Sequence, residues 1–159
     1  MYLEGTGVRK NYKKAMEYAL KAAEGDKETA MDMIALMYEN GYGCPKDPAK
    51  AFEWYLKAAQ EGWRPATVSA AKHLHEGIGV EKDDFKAAML LQEGAARTYG
   101  PAMKMLGEFY LEGWGVKRDL HWAKIWLDRA QYYEEDVEAL QKRLKELTNK
   151  KAKKSGRMA

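Results

Sequence analysis

The chain of 159 residues holds a single cysteine, Cys44. One thiol excludes an internal disulfide and a cysteine-based zinc site. Histidines number three: His73, His75 and His121. His73, His75 and Glu76 resemble a metal cluster, but residues two apart do not share a helix face, and His121 is distant in sequence. Converging ligands are missing, as are the acid, base and nucleophile that a hydrolase would need. No catalytic residue, metal or cofactor is therefore expected. No apolar run approaches the roughly 20 residues that span a bilayer, and Met1 to Lys10 lacks the apolar stretch of a signal peptide. These absences describe a soluble chain and leave its compartment open. Gly-x-Gly occurs repeatedly but never after a strand pattern, so it does not read as a dinucleotide-binding turn.

The net charge of +3 is small for 27 basic and 24 acidic residues, and it is unevenly placed. Lys150, Lys151, Lys153, Lys154 and Arg157 crowd the end with no acid among them. The other 22 basic residues face 24 acids, so the body is slightly acidic. Nucleic acid or an anionic membrane is a candidate partner for that basic end only, and a solubilising tail is the simpler reading.

What the chain does have is a period. Gly5, Gly41, Gly77 and Gly113 are each 36 residues apart, and Gly7, Gly43, Gly79 and Gly115 follow them. A fixed period of this size marks a repeat array. Asn11, Asp47, Asp83 and Asp119 recur at the same spacing and are good helix-capping types. Pro48 suits a first helical position, and Gly41 suits the residue past a helix end, where positive φ is common. Ala15, Ala51, Ala87 and Ala123 share one site, and Ala30, Ala66 and Ala102 another. Small residues there let paired helices approach; a large one would overpack by about 1–3 kcal/mol. Tyr18, Trp54, Leu90 and Trp126 form a bulky row read as filler between stacked pairs. Cys44 stands where Val8, Val80 and Val116 stand, so it reads as a small buried hydrophobe rather than a reactive thiol.

Each copy therefore reads as two helices joined by a Gly-x-Gly turn. The spacing predicts a partial repeat over 2–25, full repeats over 27–62, 64–98 and 100–131, and a capping helix over 133–148. That last helix carries Val137, Leu140, Leu144 and Leu147 on one stripe, with acids at its start and bases towards its end, which suits the helix dipole. Residues 149–159 read as a disordered basic tail. The missing first helix of the partial repeat would leave an apolar flank on residues 11–24, so the chain is expected either to start on a half repeat or to continue a longer array.

The run Ala102, Leu106, Gly107, Tyr110, Gly113, Gly115, Val116, Asp119, Ala123, Trp126 and Ala130 resembles the Sel1-like repeat family. Residues 30–62 match almost as well. The third copy departs, with Ala71, Leu74 and Leu90 at the glycine, tyrosine and tryptophan positions. The resemblance implies an all-α fold: a right-handed α/α superhelical solenoid of tetratricopeptide-like helix pairs. It also implies a non-enzymatic scaffold or adaptor for protein partners.

In such an array the first helix of each pair lines a concave groove. The inner positions would be Asp32, Leu36 and Glu39; Val68, Lys72 and His75; and Lys104, Glu108 and Leu111. Mixed charges with isolated apolar groups suit a peptide or partner helix; a plain solvated face is the alternative. The middle turn residues Thr6, Tyr42, Ile78 and Trp114 form a further row, expected to pack on a neighbouring repeat. The expected function is protein–protein interaction through the groove. A regulatory subunit of a partner enzyme is the first alternative, and self-association through the N-terminal flank is the second.

Overall fold

The computed structural model describes residues 11–25 and 27–157, and among them every regular element is a helix. The chain divides into two compact units, Met1–Asp83 and Asp84–Ala159. The first unit contains α1 (Tyr12–Ala23), α2 (Glu28–Asn40), α3 (Pro48–Gln60) and α4 (Arg64–Glu76); the second contains α5 (Asp84–Ala96), α6 (Gly100–Glu112), α7 (Leu120–Tyr132) and α8 (Glu138–Arg157). Within the first unit α2 packs on both α1 and α3, and α3 packs on α4. Within the second, α6 packs on both α5 and α7, and α7 on α8. The predicted sites at Gly5, Thr6, Gly7 and Val8 lie outside the described residues.

The turns follow from local needs of the backbone. Gly41, Gly77 and Gly113 end their helices at φ 75°, 70° and 81°. The next residue closes the turn, as the N–H of Tyr42, Ile78 and Trp114 donates to the carbonyls of Met37, His73 and Phe109. This pairing satisfies carbonyls that the helix end leaves free. The second glycine has a separate reason. A Cβ on Gly43, Gly79 or Gly115 would run into the backbone of Tyr12, Pro48 or Asp84 respectively. Each turn is thus pressed onto the start of the previous repeat's second helix.

The caps behave as expected where they are seen. Asp47 accepts from the Lys50 N–H at 3.0 Å, and Asp119 from those of His121 and Trp122 at 2.9 and 3.2 Å. Asn11 accepts from the Lys14 N–H at 3.1 Å. Ala51, Ala87 and Ala123 are all fully buried, as the small-residue rule requires.

The filler row is shifted from its predicted place. Trp54, Leu90 and Trp126 are only half-buried, and Tyr18 is 58% exposed. The buried row is the next residue along: Ala19, Tyr55, Leu91 and Leu127. The two tryptophans instead lie under cations, with the Lys57 Nζ 5.3 Å from the Trp54 ring centroid and the Arg129 Cζ 5.1 Å from that of Trp126. A large indole tolerates a half-wet boundary better than a leucine does. Gly107 explains the buried row: a Cβ there would stand 2.9 Å from the Leu127 side chain.

The last helix also departs from expectation. No disordered tail starts at residue 149; α8 continues through Arg157. Lysine and alanine are strong helix formers, and a helix already nucleated on its apolar stripe is extended cheaply by them.

Candidate functional site

Two ties set α2 beside α4 within the first unit. At one end the Trp63 indole, just ahead of α4, lies near the Asp32 carboxylate, its buried Nε1 having no hydrogen-bond partner among the described residues. At the other, the His73 Nε2 stands 3.6 Å from the Glu39 Oε1. The helices therefore run side by side in the same direction. Along them, Leu36 is 44% exposed and Lys72 is exposed, while Asp32, Glu39, Val68 and His75 are half-buried. Six of the nine predicted groove residues thus stand on two neighbouring helices of one unit.

The other three stand on α6 in the second unit. Lys104 and Glu108 are half-buried. Leu111 is not a groove residue, because it is 0% exposed. Gly100, at the start of α6, sits against Tyr133 and Glu135, and Glu112 at its end pairs with Arg143 at 3.2 Å. The turn before α8 thus meets the start of α6, and Arg143 of α8 is tied to its last residue.

A buried polar cluster underlies the α2–α4 pair, and sequence reasoning missed it. Tyr55, 1% exposed, donates its hydroxyl to the Glu39 Oε2 at 2.6 Å. His73, 2% exposed, places its Nδ1 2.9 Å from the Ile78 carbonyl oxygen. A carbonyl only accepts, so Nδ1 carries the proton and donates. The Nε2 has no hydrogen-bond partner among the described residues. The ring is flanked by Phe52 and by the edge of Tyr55, with centroids 6.3 and 5.4 Å away. Burial, together with the bond to Glu39, raises the Tyr55 pKa and keeps the phenol neutral. The available signal was the repeat itself: Met37 and Phe109 occupy the position of His73 and are equally buried.

Burial also raises the Asp32 pKa; interaction with the Trp63 indole N–H opposes the shift and Glu39 adds to it. Two carboxylates thus share one face of α2. Cys44 is half-buried rather than buried, and its Sγ lies 3.5 Å from the Met37 carbonyl. Its pKa is raised, chiefly by burial, which disfavours the reactive thiolate. In the turn row, Tyr42 stacks on Tyr12 of the preceding repeat with ring centroids 4.8 Å apart. Trp114 packs edge-on against Phe109 of its own repeat at 5.5 Å.

The repeat geometry has a counterpart among known families. The Sel1 repeat model matches residues 1–27, 29–63, 68–99 and 100–130. The chain belongs to the Sel1 repeat family. Among solved structures it is similar to a protective antigen of uropathogenic Escherichia coli strains that displays an SLR fold, with 32% identity and a TM-score of 0.80 over 84% of this chain and 29% of that one. It is also similar to a Sel1 repeat protein from Oxalobacter formigenes, at 29% identity and a TM-score of 0.78 over 82% of this chain and 54% of that one. The Helicobacter pylori cysteine-rich protein B shares the fold, at 23% identity and a TM-score of 0.62. The chain thus spans 29% and 54% of the length of the first two structures. No curated protein matches it significantly. The all-α solenoid class expected from the period is the class of these Sel1 neighbours. Sel1 repeat proteins generally mediate protein–protein interaction, on a fold that is typically a non-catalytic scaffold. Among the described residues no helix is long and apolar enough to cross a membrane.

Proposed function

We propose that this Sel1 repeat chain is a non-enzymatic adaptor that binds an extended or helical segment of a partner protein on the α2–α4 face of its first unit. The observation that carries this reading is the exposed Leu36, set among half-buried Asp32 and Glu39 on α2 and faced from α4 by Val68 and Lys72. An apolar anchor ringed by charges of both signs supplies affinity at the centre and specificity at the rim. Asp32 and Glu39 make the α2 side acidic, so the favoured segment carries an apolar residue beside a basic one.

The test is affinity capture with the wild-type chain and with Leu36→Ser and Lys72→Ala variants whose melting temperatures are unchanged. A partner recovered by the wild type and lost with both variants supports the face. Equal recovery by all three overturns it. Assaying the recovered partner with and without the chain then separates an adaptor from a regulatory subunit, since only the latter changes a rate. Self-association is a second reading, supported by the exposure of Tyr18 and Leu20 on α1. A concentration-dependent dimer in light scattering, abolished by Leu20→Ser, is its signature.

A further inference from the structure

The basic end of the chain is helical, and its helix builds one wall of a cavity of about 700 Å³ lying wholly within the second unit. Lys150 and Lys151 come from α8; Lys117 and Arg118 come from the turn after α6, and His121 from the first turn of α7. Among the described lining residues the only acid is Asp119, whose carboxylate already caps α7. Arg118 is partly engaged, 3.5 Å from Glu112. Lys117, Lys150 and Lys151 have no ion-pair partner among the described residues. Three lysines and a histidine are thus drawn round one concavity with Asp119 the one acid among its described residues, and like charges held together raise the local potential for an anion.

Leu120 and Leu147 also line this cavity, and both are half-buried. A phosphodiester chain or a lipid headgroup has no use for apolar wall. A peptide that alternates carboxylates with an apolar side chain uses both kinds of surface. A volume of this size lies in the range that binding sites commonly enclose. We infer that this cleft between the start of α7 and the end of α8 binds an acidic segment of a partner protein that carries an apolar residue between its carboxylates. It is a second site, distinct from the α2–α4 face and opposite to it in charge preference. Its failure leaves the proposed function above untouched.

The experiment is fluorescence anisotropy with a labelled peptide of alternating Glu and Leu residues, titrated with the whole chain at low ionic strength. Binding that weakens with added salt is expected. Lys150→Glu/Lys151→Glu should weaken it at least about tenfold. Lys150→Arg/Lys151→Arg should retain it, because charge is what is read. Circular dichroism and melting temperature accompany each variant; these exposed positions should leave both unchanged. No binding of the peptide overturns the inference, as does binding indifferent to the charge reversal or lost in the arginine variant. A neutral Gln–Leu peptide bound equally well overturns it too. Tighter binding of phosphatidylserine vesicles or duplex DNA, lost with the same charge reversal, assigns the cleft to a phosphate-bearing ligand and overturns the peptide.

Discussion

Gly77 and Gly79 stand two residues apart in one turn, but only one of them has a wall against it. Both have positive φ, at 70° and 69°. The nearest atoms to a Cβ on Gly77 are 3.5 Å away, whereas a Cβ on Gly79 would meet the Pro48 backbone. Gly77→Ala should therefore cost only the left-handed strain, about 1–2 kcal/mol. Gly79→Ala adds overpacking against main chain that cannot swing aside, for about 2–5 kcal/mol in all. Urea unfolding of the two variants checks the order, and equal losses would refute the close approach. Thr98 and Glu134 hold the position that Gly62 holds one period or more earlier, and all three have positive φ. A β-branched residue pays most there. Thr98→Gly should raise stability by about 0.5–1 kcal/mol, since relief of strain exceeds the entropy that glycine brings. The melting temperature reports it.

Among the elements, α2 combines a structural role with the proposed binding role, and pH separates the two. The Asp32 pKa is raised from its ordinary value of 3.8, first by burial. A raised folded-state pKa means that this group's contribution to stability is present below the ordinary value and is lost as pH rises through the folded one. Asp32→Asn removes that loss while keeping the size and shape of the side chain. The variant should be more stable than the wild type at neutral pH, and the gap should close towards about pH 3. If the α2 face binds as proposed, the same variant loses affinity for a basic-apolar segment. A stability gain with unchanged partner recovery would leave Asp32 a burial cost without a function. The buried cluster on this element makes a related point. His73 keeps one nitrogen without a hydrogen bond where Met37 and Phe109 have none to satisfy, and a buried polar atom left unpaired is costly.

For the whole molecule, α8 divides into a half that completes a core and a half that does not. Val137 and Leu144 are buried, whereas the residues from Thr148 to Lys153 are exposed. Ending the chain after Thr148 should change the melting temperature little while abolishing acidic-peptide binding in the α7–α8 cleft. Ending it after Tyr133 also removes the buried Val137 and Leu144 and the Arg143 partner of Glu112. Loss of those two apolar side chains should cost about 3–6 kcal/mol, with association visible in light scattering. Equal stability of the two truncations would contradict the place given to α8. The division also fits a repeat architecture, in which the last unit needs a helix with one apolar stripe and one polar face to close the stack.

The 36-residue period, the capping Asp47 and Asp119 and the glycine turns were all legible in the sequence by itself. Each answers a need confined to a few neighbouring residues: a positive φ, or a free N–H at a helix start. The family followed from the same residues. Six of the nine expected groove positions stand on α2 and α4, because helical spacing puts residues three or four apart on one face. Tertiary structure alone decided the rest. Whether Trp54 or Tyr55 faces inward depends on the helix opposite, and both are bulky enough to fill space. Leu111 is fully buried, whereas its repeat equivalents Glu39 and His75 are half-buried, and nothing in the repeat foretold that difference. The basic end reads as disorder from its charge but folds as helix, and only that folding brings Lys150 and Lys151 to Lys117 and His121. Burial and charge clustering are sums over neighbours in space, and a period along the chain does not name them.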